Sequence, residues 1–180
     1  MLGRLLLPDV RWQASFLEAV AELRDEGRAT PGTVLGDDLL EHGPTWATPA
    51  GFTAYVASVR REAVAPRHAG SVPHTTWWWV EDEEWVGRID LRHRLTERLQ
   101  EVGGHVGYDV RPSRRREGHA TAMLASVLPH ARALGAAEAL LTCDEDNLAS
   151  RRVIEANGGR RVDRRVDRRG DKLRFLVPTG

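Results

Sequence analysis

The hydrophobic pattern changes its period in the middle of the chain. Val106, Tyr108 and Val110 alternate with polar residues or glycine, and this two-residue period predicts a strand with two unlike faces. Pro112 ends the strand, because proline has no N–H to donate to a sheet. From Glu117 onward, apolar residues recur every three or four positions, which predicts an amphipathic helix. The apolar stripe of that helix consists of Ala120, Met123, Leu124, Val127, Leu128 and Ala131.

Periodicity and turn residues predict further elements on both sides of this central strand and helix. Residues 28–48 are predicted to form a long loop with a weak helical turn at 37–41. The order β-α-α-β-β-β-α-β-α-β-β predicts an α/β sandwich. The other strands are predicted at residues 2–7, 74–80, 85–93 and 139–142, in a hairpin within 160–169, and at a final edge strand with Leu173, Phe175 and Val177. The other helices are predicted to start after Asp9, at Thr48 with Pro49, and at Asn147.

Three arginines and a glycine separate the central strand from the helix that follows it. Arg114, Arg115 and Arg116 precede Gly118 at the helix start, where the first backbone N–H groups have no intrahelical partner. Free donors and positive charge at a helix start form an anion site, so we expect a phosphate group there. The G-x-x-x-x-G-K-[ST] and G-x-G-x-x-G patterns are absent, so neither nucleoside triphosphate hydrolysis nor dinucleotide binding is indicated.

Length and composition limit the classes of protein to which this chain can belong. A chain of 180 residues most simply forms one domain, residues 1–180. Its 26 basic and 26 acidic residues balance, which argues against a nucleic-acid-binding protein. No apolar run approaches the ~20 residues of a membrane span and no signal peptide is evident, so a soluble, cytoplasmic protein is expected. The single cysteine, Cys143, suits a reducing compartment, and no metal-ligand spacing occurs among the histidines and this cysteine, so no metal is expected.

Two motifs point to a known family. Arg115-x-x-Gly118-x-Ala120, after a strand that ends at residues 110–112, resembles the (Q/R)-x-x-G-x-(G/A) motif of the GNAT superfamily, which are acetyl-CoA-dependent N-acetyltransferases. Residues 142–159 resemble the second cofactor motif of that family, a strand end followed by a helix that starts at an asparagine. The predicted order of elements is similar to that of the family over nearly the whole chain.

This resemblance implies both the fold and the reaction. The expected fold is a GNAT domain of the α/β class, with a central mixed, mostly antiparallel sheet of about seven strands flanked by about four helices. The expected reaction is direct transfer of an acetyl group from acetyl-CoA to a primary amine in a ternary complex. Residues 103–108 and 157–159 are similar to a bacterial branch whose members mostly lack assigned substrates. The acceptor, a small molecule or a peptide, therefore stays open, as does the choice between a monomer and a homodimer.

Two alternatives belong to other function classes. The first is a GNAT-fold module that binds acyl-CoA as a sensor or scaffold and has weak catalytic activity. The second is an RNA-associated modifier that uses the arginine-rich residues 160–169, which the balanced charge disfavours.

The resemblance assigns the cofactor contacts to two motifs. In the first, backbone N–H groups of residues 115–120 bind the pyrophosphate of acetyl-CoA, and the strand before them pairs with the pantetheine arm. In the second, Asn147 matches the family asparagine, although an ordinary helix N-cap explains it equally well. The expected cofactor-binding residues are Tyr108, Val110, Arg115, Arg116, Gly118, His119, Ala120, Thr121, Asn147 and Ser150.

The catalytic groups follow the family pattern less closely. His105 stands where many members carry a catalytic glutamate, and an imidazole near its reference pKa of ~6.5 takes a proton from an amine through water. A histidine hydrogen-bonded into the sheet is the equally weighted alternative, and His93 and Asp109 are weaker candidates. For the acid that protonates the departing thiolate, Ile154 occupies the position of the usual tyrosine, which leaves water or a different residue.

Aromatic residues before the central strand suggest an acceptor site. Trp46, Trp77 and Trp79 offer flat surfaces, and Asp37 and Asp38 offer negative charge, a combination that binds cationic amines. Alternate residues of a strand face the core, so at least half of the tryptophans are expected to be core residues instead.

Overall fold

The computed structural model describes residues 3–27, 34–166 and 170–180. Within them, seven strands form two antiparallel sheets, with strand order β1-β2-β3-β4 in the first sheet and β5-β7-β6 in the second. The strands are β1 (Arg4–Leu6), β2 (His74–Glu81), β3 (Glu84–Arg92), β4 (Val106–Val110), β5 (Glu138–Asp144), β6 (Arg160–Arg165) and β7 (Lys172–Pro178).

Six α-helices accompany the strands in the described parts of the chain, two more than expected. At the start of α3, the Thr48 hydroxyl accepts a hydrogen bond from Gly51 N–H, 3.1 Å away, and Pro49 occupies the first position, as the sequence predicts. The α/β class and the GNAT order of elements are confirmed. The helices are α1 (Gln13–Asp25), α2 (Val34–His42), α3 (Pro49–Arg61), α4 (Glu97–Glu101), α5 (His119–Ala133) and α6 (Leu148–Ala156).

The two unexpected helices lie in segments with weak sequence signals. Helix α2 lies inside the predicted loop and extends the weak helical turn expected at 37–41, and it forms because Leu35 and Asp38 are both buried against the rest of the protein. The part of that loop at 28–33 lies outside the described residues. Helix α4 has five residues and is capped by the Thr96 hydroxyl, which accepts from Leu99 N–H.

Strand β7 lies in the middle of the second sheet, so the prediction of an edge strand is wrong. Its apolar residues Leu173, Phe175 and Val177 are all buried, and it pairs with β5 on one side and β6 on the other. Strand β6 takes the edge because its charged side chains tolerate water and discourage pairing with another chain. The tip of the predicted hairpin, at 167–169, lies outside the described residues.

Two apolar clusters pack on opposite faces of the first sheet. One cluster lies under α1, α2 and α3 and is mainly aromatic, with the Phe16 ring 5.3 Å from that of Trp78 and 5.1 Å from that of Trp46. The other lies around α5 and includes Trp79 and both sheets. Adjacent tryptophans of β2 therefore face different clusters, as the two-residue period of a strand requires.

Strands β4 and β5 make contact only at the start of β4. His105 N–H donates to the Leu140 carbonyl at 2.6 Å, and Gly104 forms an isolated bridge with Leu141. Gly104 has φ +65°, and a Cβ there would lie 2.3 Å from the Leu140 oxygen, so only glycine fits this crossing. Beyond it, β4 pairs with β3 and β5 pairs with β7, which leaves a cleft between β4 and β5.

No helix in the described parts of the chain is both long enough and apolar enough to cross a membrane.

Candidate active site

A cleft of about 610 Å³ lies between β4 and β5 and is bordered by the starts of α5 and α6. It contains every residue that the sequence predicts to bind the cofactor. Those lining residues are Tyr108, Val110, Arg115, Arg116, Gly118, His119, Ala120, Thr121, Asn147 and Ser150.

One end of the cleft is formed by residues 115–121, which we call the phosphate loop. Gly118 is the N-cap of α5 with φ +87°, and the first hydrogen bond into the helix runs from Ala122 N–H to the Gly118 carbonyl at 3.0 Å. The N–H groups of residues 116–121 have no hydrogen-bond partner within 3–27, 34–166 and 170–180. Six free donors at a helix start attract an anion, because the helix dipole also places positive charge there.

The guanidinium groups near this loop divide into paired and exposed ones. Arg115 donates from Nε to the Val110 carbonyl at 3.1 Å and pairs with Glu26 at 2.7 Å, so its charge is neutralised and it holds the loop in place. Arg116 and Arg152 are exposed on the cleft, and neither has a carboxylate partner in the part of the chain that the structure describes. These two arginines are therefore better placed than Arg115 to bind phosphate charges.

We expect Arg116→Ala to weaken acetyl-CoA binding by roughly 1–3 kcal/mol, because it removes an exposed charge beside the free donors. The affinity of the parent should also fall as salt is raised, and that slope should be smaller in the variant. Calorimetry at two salt concentrations measures both effects. Arg161→Ala is the control, since this arginine is exposed on β6 and does not line the cleft. Equal affinities for the parent and Arg116→Ala would contradict a phosphate role.

Strand β4 presents alternate backbone groups to the cleft. Arg92 N–H donates to the His105 carbonyl, and Arg111 N–H donates to the Val86 carbonyl. Hydrogen-bonded pairs alternate along an antiparallel ladder, so residues 107 and 109 also bond to β3. The backbone groups of Val106, Tyr108 and Val110 therefore face away from β3, toward the cleft. A pantetheine arm, which carries two amides, can pair with them as a strand would.

The second motif forms the opposite wall of the cleft. Asn147 accepts a hydrogen bond from Ser150 N–H at 3.0 Å, so it is the N-cap of α6. This role is compatible with a contact to the cofactor. The Tyr108 hydroxyl reaches across from β4 and lies 2.7 Å from the Ser150 hydroxyl. Burial raises the pKa of Tyr108 to about 12. Two hydroxyl groups from different elements thus meet inside the cleft.

His105 lies outside the lining of the cleft, and its hydrogen bonds argue against a role as the base. Its Nδ1 accepts from Leu140 N–H at 2.9 Å, so a neutral ring carries its proton on Nε2 and keeps no lone pair for a second proton. Burial lowers its pKa, which also favours this neutral form. The position of His105 matches the alternative from the sequence analysis, a histidine that is hydrogen-bonded into the sheet.

The other two candidate bases lie in different places. The His93 Nε2 is 2.8 Å from the Thr75 hydroxyl, outside the cleft lining, and burial followed by the proximity of His74 lowers its pKa. Asp109 lines the cleft. The structure therefore brings one of the three candidates to the cofactor residues.

The tryptophans do not form an acceptor pocket. Trp46 is 1% exposed and packs against Phe16 and Tyr55, and Trp79 is 3% exposed. Trp77 lies against the His130 ring, 4.8 Å away, on the outer part of α5. The prediction that Trp46 and Trp79 bind an amine is wrong because helices cover both faces of the first sheet, so both side chains belong to the core.

One group of side chains near the phosphate loop has the spacing of a metal site. Glu81, Glu117 and His119 have ligand atoms within 4.8 Å of one another. Arg114 already pairs with both carboxylates and so supplies the positive charge. Trp79 donates to His119 Nδ1 at 3.2 Å, so the neutral ring carries its proton on Nε2, the nitrogen that faces the carboxylates. These contacts fit an ion-pair cluster that braces the loop, and the absence of a metal stays a prediction.

Other lining residues come from elements that carry no family motif. Arg92 at the end of β3 donates to the Gly104 carbonyl at 3.0 Å and fixes the start of β4. Lys172, the only lysine, pairs with Asp144 at the far end of the cleft. Neither residue stands out in the sequence, since only the sheet pairing brings them to the cleft.

A cleft between two diverging strands, with a loop of free N–H groups at one end, defines an acyl-CoA-dependent acetyltransferase of the GNAT type. The chain belongs to this family, because the model of the acetyltransferase (GNAT) domain matches residues 16–160. Family membership supports acetyl-CoA-dependent acetyl transfer in general. A comparison with curated protein sequences finds no significant match.

Solved structures of GNAT proteins share the fold. RimJ of Mycobacterium smegmatis, in complex with CoA-disulfide, is 22% identical, with a TM-score of 0.65 over 97% of this chain and 80% of that chain. The microcin C7 self-immunity acetyltransferase MccE, in complex with acetyl-CoA and AMP, is 8% identical, with a TM-score of 0.70 over 98% and 92%. RimL, a ribosomal L7/L12 alpha-N-protein acetyltransferase in complex with coenzyme A, is 13% identical, with a TM-score of 0.68 over 99% and 94%.

Proposed function

We propose that this protein transfers the acetyl group of acetyl-CoA directly to a primary amine while both substrates are bound. The observation that carries the proposal is the row of free N–H groups at residues 116–121, which lies at one end of a cleft whose wall exposes the backbone of β4. The first feature suits a pyrophosphate, and the second suits a pantetheine arm that lies between the strands. Together they orient the thioester for attack without a covalent enzyme intermediate.

The reaction needs the amine in its neutral form. The amine nitrogen attacks the thioester carbonyl, the carbon–sulfur bond breaks with its electrons on sulfur, and the nitrogen loses one proton. We propose that Asp109, the sequence candidate in the cleft, receives that proton through water, and His105 and His93 have structural roles. A backbone α-amine has a pKa of ~7.7–8.0 and a lysine amine ~10.4, so an α-amine is neutral far more often near neutral pH. We therefore favour a peptide α-amine as acceptor, and RimL, by its description, acts on such a group.

A single domain over residues 1–180 stays a prediction, and the contribution of β2 to both apolar clusters supports it. A cytoplasmic location and the absence of a nucleic-acid partner stay predictions. The described arginines of β6 and β7 are largely paired with carboxylates, which disfavours RNA binding; examples are Arg160 with Glu138 and Arg174 with Asp163. The oligomeric state, monomer or homodimer, also stays open.

A turnover assay tests this proposal. Acetyl-CoA is offered with peptides that carry a free α-amine, the same peptides with a blocked α-amine and a free lysine, and small polyamines, and free thiol is detected. We expect thiol release that depends on the acceptor and is highest with an α-amine. Binding of acetyl-CoA without thiol release on any acceptor would favour the alternative of an acyl-CoA sensor, which the buried Ile154 at the usual tyrosine position suggests.

For the base, we expect Asp109→Asn to reduce kcat/KM by about 10²–10⁴-fold, the usual range for a lost general base. His105→Ala should instead leave kcat/KM and its pH profile almost unchanged. It should lower the free energy of unfolding by roughly 1–3 kcal/mol, because Leu140 N–H loses its acceptor. Steady-state kinetics from pH 6 to 9 and chemical denaturation measure the two effects. A 100-fold loss of rate in His105→Ala with unchanged stability would reverse the two assignments.

A further inference from the structure

The Tyr108 and Ser150 hydroxyl groups meet inside the cleft, and neither has been given a catalytic role so far. We infer that Tyr108, supplied by β4, is the catalytic residue that donates this proton, and that Ser150 on α6 is its positioning residue. The inference rests on the proposed function and adds the donor that the sequence leaves open. It also places the acid on the strand that faces the pantetheine arm, since Ile154 on α6 is fully buried.

Position along β4 supports this assignment. The phosphate loop follows the end of β4, so the pantetheine arm of a bound acetyl-CoA would run from Val110 back along the strand toward Gly107. Tyr108 lies on that path, and it lines the cleft together with Ser150 and Cys143. Its hydroxyl is the acidic hydrogen donor that β4 contributes there, because the neighbouring residues of the strand are valine, glycine and aspartate.

The surroundings of the Tyr108 hydroxyl favour its action as a proton donor over action as a proton acceptor. Its pKa, raised by burial to about 12, keeps it protonated at neutral pH, and the nearby Cys143 and Asp109 add to this rise. The Ser150 hydroxyl acts in the opposite direction and lowers the pKa. The Tyr108 hydroxyl donates to the Ser150 carbonyl over a long 3.4 Å. When the Ser150 hydroxyl donates to the Tyr108 oxygen, the tyrosine proton exchanges this long contact for the departing sulfur. Ser150 N–H is held by Asn147, so the first turn of α6 fixes the position of this serine.

The proton transfers that accompany release of the CoA thiol balance. As the carbon–sulfur bond breaks, sulfur takes the electron pair and then the Tyr108 proton, which yields free CoA thiol. The Ser150 hydroxyl stabilises the tyrosinate oxygen until water returns a proton to it. The proton lost by the amine nitrogen passes through water to Asp109 and from there to the solvent, so enzyme and solvent end as they began. A donor aimed at charge that develops on sulfur acts mainly on the transition state.

The test compares variants that remove only a hydroxyl group. Tyr108→Phe keeps the ring that packs in the cleft, and we expect kcat to fall about 10²–10³-fold with the acetyl-CoA dissociation constant and the melting temperature nearly unchanged. Ser150→Ala should lower kcat about tenfold, and Ser150→Thr should restore most of it, because threonine keeps the hydroxyl. Ser126→Ala, on the exposed face of α5, is the control and should match the parent.

Each outcome separates the inference from the proposed function. If the parent turns over and the kcat of Tyr108→Phe stays within about threefold of the parent value, the inference is overturned. The transferase activity then still stands. Equal losses of kcat and acetyl-CoA affinity in Tyr108→Phe would also overturn it, since the hydroxyl would then bind the cofactor rather than assist the leaving group. No turnover by the parent on any amine would overturn the proposed function itself.

Discussion

Gly118→Val should reduce the affinity for acetyl-CoA by roughly 100-fold or more, about 2.7 kcal/mol. Gly118 has φ +87°, a left-handed conformation that costs an L-residue roughly 1–2 kcal/mol and a β-branched one more. Relief of that strain rotates the peptide groups on both sides and turns the N–H groups of the phosphate loop away from the bound anion. Two lost charge-assisted hydrogen bonds at about 1.5–3 kcal/mol each account for a change of this size.

The protein should still fold with this substitution. Apart from its two chain neighbours, no atom of the described residues lies within 4 Å of a Cβ placed on Gly118, so the cost is conformational and not a clash. Gly135→Val is the matched control, because Gly135 has φ +93°, an equally open surrounding and a place just beyond the other end of α5. Both variants should lose similar stability by thermal melting, and only Gly118→Val should lose affinity by calorimetry. Parent-like affinity in Gly118→Val would remove the phosphate loop from the cofactor site.

The residues that line the cleft could be predicted because local rules determine most of their geometry. Strand periodicity, Pro112, and a glycine at a helix start are properties of consecutive residues, and they place β4, the phosphate loop and α5 in order. The ten predicted cofactor residues line one cleft, since both motifs end at the edges of strands that diverge from a single crossing at Gly104.

The catalytic and acceptor residues depend on contacts between distant segments, which periodicity does not reveal. His105 looks like a base by its position, yet its partner Leu140 is 35 residues away. Tyr108 and Ser150 are 42 residues apart, and the hydroxyl pair exists only because α6 packs beside β4. Trp46 was expected on a pocket wall, but it is buried against Phe16 of α1 and Tyr55 of α3, which are distant in sequence.

The acidic residues of α2 also depend on contacts that the sequence does not reveal. A sequence cannot show which of two adjacent aspartates is buried, so Asp37 and Asp38 were both expected at an acceptor site. Helix α2 turns Asp38 inward, where it is 0% exposed and pairs with Arg88 and Arg67, and it leaves Asp37 exposed. The buried charge therefore has a structural role.

Asp38→Ala should lower the free energy of unfolding by about 3–5 kcal/mol, the usual cost of removing one partner of a buried ion pair. Arg88 is 0% exposed, and its two terminal nitrogens donate to Asp38 and Asp90, each at 2.7 Å. Loss of Asp38 leaves the buried Arg88 and the largely buried Arg67 with one carboxylate fewer. For a chain of this size, the melting temperature should fall by roughly 6–20 °C.

Two comparison variants decide whether the buried charge causes this loss. Asp37→Ala changes an exposed residue of the same helix, and its effect should stay below about 1 kcal/mol. Arg88 also pairs with the buried Asp90, so the second variant combines Asp38→Ala with Arg88→Met and Asp90→Asn. It removes all three charges of the cluster, so part of the lost stability should return, because a methionine and an amide leave no unpaired charge in the core. If this combined variant is no more stable than Asp38→Ala, the cost comes from lost packing around α2 and not from the unpaired guanidinium. In all three variants the folded protein should bind acetyl-CoA normally, since none of these residues lines the cleft.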